Sequence, residues 1–305
     1  MRLVMFQAKK QKARVGMYLE DTILDIKSLI ETGAIYVPEE FNCDSIEKLL
    51  ASNPDALSIL KQIEKEYLNK NSSMTNVLWP VDIVKLLPPI TRPSKIICVG
   101  LNYHSHCFEQ GAKIPEYPIL FAKYSSAITG DSLPIIKPAV VKKLDCDAEL
   151  AVIIGQQGKR ILKADASKYI AGYANFNDIT ARDIQLSARQ WVRSKSFDTF
   201  APLGPFLVTP EEVGDLGSLY IRCSVNDELW QDSYISDMIF TIPELIEFIS
   251  ENITLMPGDI IATGTPAGVG LFQKPPRFLK HGDVIKTEIQ GLGVLQNHVI
   301  EEETI

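Results

Sequence analysis

LDCDAELAVIIG, residues 144–155, is a short apolar run that ends in glycine and has acidic residues at its start. Such a run is typical of a β-strand. Side chains alternate along a strand, so Asp147 and Glu149 are expected on the same face. Two carboxylates on one face repel each other unless a cation joins them, and a hard divalent cation with oxygen ligands would do so. The alternative is an exposed polar face at the start of the strand.

Short apolar runs of the same kind fill the sequence after residue 90. Gly, Pro, Asn and Asp separate them, which predicts many short strands. These runs are KIICVG, YIAGYANF, GPFLVT, LYIRCSVN, DIIATG, DVIKTEI and GVLQNHVI. Many strands with few helices and no regular β-α alternation argue against a doubly wound sheet. We therefore predict an α+β fold that is mainly β, with a closed or rolled mixed sheet and a hairpin turn at residues 225–228.

Helices are expected at only a few places. Residues 44–67 carry apolar residues at helical spacing, interrupted near Asn53 and Pro54, which predicts two short helices. In TIPELIEFISENI, Thr241 and Glu244 have the spacing of a capping box. A further helix is expected to start from Asp178, within DITARDIQLSARQW.

The N-terminal region has its own pattern. RLVMFQA, ARVGMYL and TILDI predict three strands, and the proline-rich WPVDIVKLLPPITRPS predicts a linker. We therefore predict a small N-terminal α+β domain with its linker at residues 1–90 and a catalytic domain at residues 91–305.

The composition narrows the classes of function. A formal net charge of -7 argues against a nucleic-acid-binding protein, because such proteins need a basic surface. No apolar run approaches the ~20 residues that span a membrane, and the N-terminus lacks the apolar segment of a secretory signal. The five cysteines form no C-x-x-C pair, which argues against a disulfide framework or a zinc knuckle. We predict a cytoplasmic protein, or one of the mitochondrial matrix in a eukaryote, with a small-molecule partner and no membrane contact.

A third acid, Asp178, ends the apolar run YIAGYANF. It would complete a facial set of oxygen ligands with Asp147 and Glu149. Three carboxylates leave about three positions on an octahedral Mg²⁺ for water or substrate. The alternative for Asp178 is the N-cap of the helix that follows it.

VGLNYHSHCFEQG contains a candidate general base. His106 and Glu109 are three residues apart in an expected helical turn and should face the same way. A carboxylate beside an imidazole fixes its tautomer and raises its basicity. His106 could instead be structural, or His104 and His106 could bind zinc. The zinc alternative is disfavoured because the two diverge on a helix and a third histidine is missing nearby.

Two further stretches offer groups for a substrate. Lys195, in RSKSFDTFAPLGP, lies among small and apolar residues and could stabilise a developing enolate; the alternative is a solvated lysine. PGDIIATGTPAGVG contains glycines that permit tight backbone approach, and its Thr265 offers a hydroxyl and an amide. We interpret it as a turn that holds a small carboxylate, with a purely structural turn as the alternative.

Taken together, these motifs resemble those of the fumarylacetoacetate hydrolase family. From about Lys95 to Val299 they occur in the family's order, as VGLNYxxHxxE, D-x-D/E-x-E-L-A-V-x-I-G, ND-x-x-A-R-D-x-Q, K-S-x-D-T, P-x-GP and PGD-x-I-x-TGTP-x-GVG. RPSKIICVGLNYHSHCFEQ, KSFDTFAPLGP and GVGLFQKPPRFLKHGD look closest to the branch of domain-containing type 2 proteins.

The resemblance implies a mixed β-roll catalytic domain, a small N-terminal domain, a homodimer and a bound Mg²⁺, with Mn²⁺ or Ca²⁺ as alternatives. The site residues that it implies are Asp147, Glu149 and Asp178 for the metal, His106, Glu109 and Lys195 for catalysis, and Gln185 and Thr265 for substrate binding. Two positions depart from the family. The first metal ligand is usually Glu, one methylene longer than Asp147, and Ser105 stands where many relatives have an acid.

The resemblance also implies chelation of a 2-oxo acid and stabilisation of its enolate by the metal and Lys195. Tautomerisation of oxaloacetate, its decarboxylation, and hydrolysis of an acylpyruvate or fumarylpyruvate use the same residues. The likeness to the type 2 branch favours oxaloacetate keto–enol tautomerisation, with hydrolysis or decarboxylation as the alternative. A different class of function, a dimeric binding module whose site has decayed, would rest on Asp147 alone, and titration with Mg²⁺ would discriminate.

Overall fold

The computed structural model describes residues 1–9, 11–33, 35–69, 77–188 and 190–303. Its strands, in chain order, are β1 (Arg2–Ala8), β2 (Arg14–Leu19), β3 (Thr22–Asp25), β4 (Leu78–Pro80), β5 (Val84–Leu87), β6 (Ile96–Gly100), β7 (Ile119–Lys123), β8 (Ile128–Thr129), β9 (Ile135–Lys137), β10 (Leu144–Asp145), β11 (Ala148–Ile154), β12 (Ile170–Asn177), β13 (Thr180–Ala181), β14 (Ala201–Val208), β15 (Tyr220–Val225), β16 (Glu228–Tyr234), β17 (Ile260–Ala262), β18 (Val284–Ile289) and β19 (Val294–Glu301). Its α-helices are α1 (Ile26–Glu31), α2 (Ile46–Ser52), α3 (Ala56–Asn69), α4 (His104–Gln110), α5 (Arg182–Ala188), α6 (Trp191–Lys195), α7 (Pro210–Val213) and α8 (Ile242–Ser250). The predicted α+β fold, mainly β, is confirmed.

A mixed sheet of twelve strands forms the centre of the described structure. Its main path runs β4-β3-β2-β1-β14-β12-β11-β17-β6-β7, while β5 pairs with β1 and β8 pairs with β14. Most pairs are antiparallel, but β17 lies parallel to β6 and β8 parallel to β14. Every residue of β11, β12 and β14 is buried, because these strands lie in the middle of the sheet and are covered on both faces.

A second sheet, ordered β16-β15-β18-β19-β9, packs against the central strands of the first. The hairpin between β15 and β16 turns at Asn226 and Asp227, both with positive φ, as residues 225–228 predicted. Along β15, β18 and much of β19, buried and more exposed residues alternate, so only one face of this sheet meets the core. The sheet therefore covers one side of the strands that carry the acidic residues.

The N-terminal strands continue the large sheet. β1 pairs with β14 of the C-terminal region, and β5 pairs with β1. The proline-rich stretch predicted as a linker thus contributes two short strands, β4 and β5. The division of the chain near residue 90 stays a prediction. None of the helices in the described part of the chain is long and apolar enough to cross a membrane.

Some of the predicted helices are confirmed, and one predicted helix start is wrong. As predicted, two helices lie on either side of the interruption at Asn53, since α2 ends at Ser52 and α3 begins at Ala56. Thr241 and Glu244 form the expected capping box of α8. The helix after Asp178 was placed wrongly, since α5 begins at Arg182 and β13 lies between them. Asp178 therefore does not cap this helix. The residues that follow it pair with β10 instead, and this strand pairing outweighs the local helical pattern.

Candidate active site

The register between neighbouring strands brings the acidic residues together. In the antiparallel pair of β11 and β12, Ala148 lies opposite Asn177. The short pair of β10 and β13 continues the same register, with Asp145 opposite Thr180. Asp147 and Asp178 therefore face each other between the two pairs, and the Asp178 amide donates to the Asp147 carbonyl at 2.9 Å. Two acids separated by thirty residues of sequence become neighbours through strand pairing.

All three predicted metal ligands line one cavity of about 580 Å³. Asp147, Glu149 and Asp178 are each no more than 3% exposed, so their charges are removed from bulk water. Oε2 of Glu149 accepts a hydrogen bond of 2.9 Å from the backbone N–H of Gly264. Among the described residues, no group of three or more His, Cys, Asp or Glu is already spaced to hold a metal ion.

Three buried cations share the space with these acids. Lys195, the last residue of α6, contacts Asp178 Oδ2 and lies 3.4 Å from Asp147 Oδ2. Arg182 contacts Asp147 Oδ1 and donates from Nε to Asp145 Oδ2 at 2.8 Å. Lys123 donates to Asp178 Oδ1 at 2.5 Å and to a backbone carbonyl at 3.1 Å. Lys195 is therefore buried beside the acids and not solvated, while its role toward an enolate stays a prediction.

Burial and neighbouring charges shift the ionisation of these groups in opposite directions. Burial, followed by the charge of Asp178, holds the pKa of Glu149 well above its ordinary value. Burial alone would also raise the pKa of Asp178, but Lys123 and Lys195 together lower it. Burial lowers the pKa of Lys123, whereas Lys195 has a raised pKa because two carboxylates outweigh its burial. Glu149 is thus the carboxylate of the cluster with the weakest cationic support.

The predicted dyad forms on α4, and its His106 lines the same cavity. His106 Nδ1 lies 2.6 Å from Glu109 Oε1, as their helical spacing predicts. Glu109 is itself held by the backbone N–H of Gly268, which donates to its Oε2 at 2.9 Å. On the other side of the ring, His106 Nε2 lies 2.6 Å from Gln110 Nε2. The imidazole is therefore fixed at both nitrogens.

The glycine-rich loop holds carboxylates, but they are the protein's own. Gly264 (φ +97°) and Gly268 (φ +106°) donate their N–H groups to Glu149 and Glu109. Both need glycine, because a Cβ at Gly268 would lie 2.0 Å from a carbonyl oxygen and one at Gly264 would lie 3.0 Å from another. Thr265 lines the cavity between them and accepts a hydrogen bond from Gln231 at 2.7 Å. This loop therefore positions Glu109, the partner of His106, and one predicted metal ligand, Glu149.

Of the remaining residues considered in the sequence, some line the cavity and others do not. Gln185 lines the cavity and accepts a hydrogen bond of 3.3 Å from Arg182 Nη1. His104 is exposed and does not line the cavity, which removes the basis of the zinc alternative. Ser105 Oγ donates a hydrogen bond of 2.5 Å to Asp237 Oδ2, which brings an acid from another part of the chain beside Ser105. Cys146 is buried against Cys223. Its contact with Cys223, together with burial, raises the pKa of its thiol, which argues against a nucleophile.

Sequence reasoning missed several residues of the site. Arg182 and Asp145 stand inside the quoted motifs ND-x-x-A-R-D-x-Q and D-x-D/E-x-E, but no role was given to either. Lys123 ends the apolar run ILFAK, where a charged residue in a buried strand is itself a signal. Gln110 follows Glu109 and is four residues from His106, which is also same-face spacing on a helix.

Comparison with known proteins gives consistent matches. Residues 95–300 match the family model described as fumarylacetoacetate (FAA) hydrolase C-terminal. The chain is 42% identical to oxaloacetate tautomerase fahd2, mitochondrial, of Xenopus laevis, over 98% of this chain and 90% of that protein. It is 48% identical to oxaloacetate tautomerase Fahd2a, mitochondrial, of Rattus norvegicus, over 73% of this chain and 72% of that protein.

A solved structure extends the likeness to the whole fold. The maleylpyruvate hydrolase of Sphingobium sp. SYK-6, in complex with manganese (II) ion and pyruvate, superposes with a TM-score of 0.77 at 31% identity. The match covers 99% of this chain and 100% of that chain. The arrangement described above thus lies on a fold that holds a divalent metal ion and a small oxo acid in that enzyme.

Proposed function

Because the chain belongs to the fumarylacetoacetate hydrolase family, we propose that it is a metal-dependent enzyme that catalyses keto–enol tautomerisation of oxaloacetate. One observation carries the proposal. Lys195 and three carboxylates line the same cavity as His106, which Glu109 holds from behind, so a group that can stabilise an enolate shares the cavity with a group that can move a proton. The relatives named oxaloacetate tautomerase support oxaloacetate as the substrate.

The dyad defines which atom accepts the proton. An ionised carboxylate is only an acceptor, so Glu109 requires a proton on His106 Nδ1. The neutral ring then has its lone pair on Nε2, which is the basic atom of the pair. In the ketone-to-enol direction His106 Nε2 takes a proton from C3 of oxaloacetate, and the electron pair moves to the C2 oxygen. The ammonium group of Lys195 stabilises the negative charge that develops there.

The donor set fits a hard divalent cation. Four buried carboxylates, Asp145, Asp147, Glu149 and Asp178, are accompanied by three buried cations, which leaves one negative charge in excess when all four are ionised, as they would be around a bound cation. Oxygen-only ligands of this kind select Mg²⁺, Mn²⁺ or Ca²⁺ over softer metals.

Asp147, Glu149 and Asp178 would hold the ion, and we propose Mg²⁺ in this role. Bound there, the ion would polarise the oxo acid as a Lewis acid. The short first ligand is consistent with this role, since Arg182 anchors Asp147 on the side opposite Lys195. We therefore propose that Arg182 fixes the position that a longer glutamate occupies in relatives.

The decisive experiment measures ketonisation of enol-oxaloacetate with purified protein, with Mg²⁺ and with EDTA. We expect acceleration over buffer that EDTA abolishes and that Lys195→Ala reduces by at least 100-fold, by analogy with loss of an oxyanion-stabilising group. Lys168→Ala is the matched control, because Lys168 is an exposed lysine whose partner is Asp165. A rate no higher than buffer, with fast cleavage of an acylpyruvate in the same panel, would refute the tautomerase and favour the hydrolase alternative. Release of CO₂ is measured in the same samples to detect decarboxylation of oxaloacetate.

Assembly and compartment are separate proposals. A homodimer follows from the family resemblance, and light scattering on the eluting protein tests it by its mass. The rat and Xenopus relatives are named mitochondrial, and the buried, unpaired cysteines suit a reducing compartment. Fractionation of source cells distinguishes the mitochondrial matrix from the cytoplasm.

A further inference from the structure

Gln110 occupies the place next to the basic nitrogen. It is the last residue of α4, half-buried, and lines the cavity with His106. Its Nε2 lies 2.6 Å from His106 Nε2, at the position from which the base acts. Because Nδ1 of the ring bears the proton shared with Glu109, Nε2 is the acceptor and the amide of Gln110 is the donor.

The chemistry of the substrate determines what meets this amide. The base takes its proton from C3, and C3 of oxaloacetate is bonded directly to the C4 carboxylate. A donor within hydrogen-bond distance of Nε2 therefore lies beside whatever substituent C3 bears. In a four-carbon oxo diacid that substituent is a carboxylate, whereas in pyruvate it is hydrogen and in an acylpyruvate it is an acyl group. Before substrate binds, the amide N–H of Gln110 pairs with His106 Nε2. Once the C3–H of the substrate occupies that position, the amide N–H can pair with the C4 carboxylate instead.

The other groups around His106 strengthen the assignment. Phe272 packs edge-on to the imidazole, with ring centroids 6.1 Å apart, and Leu271 lines the cavity beside it. These apolar side chains supply no donor to a carboxylate. Arg182 and Lys195 are paired with the buried acids. We infer that Gln110 is a specificity residue that recognises the distal carboxylate of a four-carbon oxo diacid. This inference rests on the proposed function, because it uses C3 as the site of proton transfer.

Binding of two unreactive ligands tests the inference directly. Malate and lactate share the 2-hydroxy acid group and differ in that malate has the C4 carboxylate. Their dissociation constants are measured by calorimetry with the Mg²⁺-loaded protein, its Gln110→Met variant and its Gln110→Glu variant. Gln110→Met keeps the side-chain length and removes the donor, while Gln110→Glu keeps the shape and adds a negative charge. Gln156→Met, an exposed glutamine just beyond the far end of β11 from Glu149, is the matched control.

We expect the wild type to bind malate more tightly than lactate. Gln110→Met should weaken malate about 10-fold, as expected for loss of a hydrogen bond to a charged group, and lactate less than 2-fold. Gln110→Glu should weaken malate further. For oxaloacetate turnover, the KM of Gln110→Met should rise by a larger factor than its kcat falls.

Several results would overturn the inference. They are a wild type that does not prefer malate, a Gln110→Met variant that weakens both ligands equally, and a Gln156→Met variant that behaves like Gln110→Met. Failure of the proposed function would give a different experimental result. A wild type that prefers malate through Gln110 but does not accelerate ketonisation would contradict the tautomerase and leave the recognition of the diacid intact.

Discussion

Replacement of Lys123 by methionine tests whether the buried ion pairs hold the acidic cluster together. The side chain of Lys123 is fully buried, and its ammonium bonds Asp178 Oδ1 at 2.5 Å and the Ile179 carbonyl at 3.1 Å. Methionine preserves most of the apolar stem and removes both hydrogen bonds. Asp178 would keep one cation, Lys195, and the Ile179 carbonyl would lose this donor.

The expected cost follows from these two losses. Removing one partner of a buried ion pair costs about 3–5 kcal/mol, and an unpaired carbonyl adds about 1–3 kcal/mol. The variant also avoids burying an ammonium, whose cost shows in the lowered pKa of Lys123. We therefore expect a net loss of about 3 kcal/mol in the free energy of unfolding. For a chain of 305 residues that corresponds to a fall in Tm of roughly 5 °C.

A double-mutant cycle separates the ion pair from mere packing. Lys123→Met, Asp178→Asn and the double variant are compared by thermal and denaturant unfolding in EDTA. If the pair is energetically coupled, the double variant loses at least about 1 kcal/mol less than the two single losses together. Lys168→Met is the control, because Lys168 is 72% exposed and water and salt screen a surface pair of this kind, so it contributes little to stability. Additive losses, within about 0.5 kcal/mol, would refute the coupling.

Three further predictions concern the same cluster. Arg182→Lys should reduce ketonisation at least 10-fold, measured as kcat/KM, because one ammonium cannot span Asp145 and Asp147 as the guanidinium does. Glu149→Gln should raise the Tm of EDTA-treated protein at neutral pH. The folded pKa of Glu149 is raised, so ionisation of Glu149 removes stability as pH rises above the ordinary value of 4.5. A pH profile of Tm that is the same for the variant and the wild type would contradict this. Gly264→Ala should lower the Tm by several degrees and weaken Mg²⁺ binding in calorimetry, because φ is positive there and its N–H holds Glu149; wild-type affinity would contradict it.

The sequence was sufficient for those parts of the site that depend on local spacing. The alternation of a strand places Asp147 and Glu149 on one face, and helical spacing places Glu109 beside His106. Both relations need only the period of a single element, so no knowledge of the rest of the fold is required. The capping box of α8 was predictable for the same reason.

The cations were harder to predict because each one pairs with an acid from a different element. Lys123 ends β7, whereas its partner Asp178 follows β12. Nothing in the local pattern around Lys123 identifies that partner. The sequence also placed a helix start at Asp178, because the stretch after it has helical spacing. The pairing of β13 with β10 competes for the same residues and moves the start of α5 to Arg182.

Strand register is the step that turns separate acidic residues into one site. A shift of β11 by a single residue against β12 would move Asp147 and Glu149 to the opposite face of the sheet. Both faces of β11 are buried, so hydrophobicity alone does not prevent that shift. The pairing of β10 with β13 restrains it, because Arg182, which directly follows β13, must reach Asp145 and Asp147 together. The ion pairs that Arg182 makes with Asp145 and Asp147 therefore help to fix the register on which the position of Asp147, a proposed metal ligand, depends.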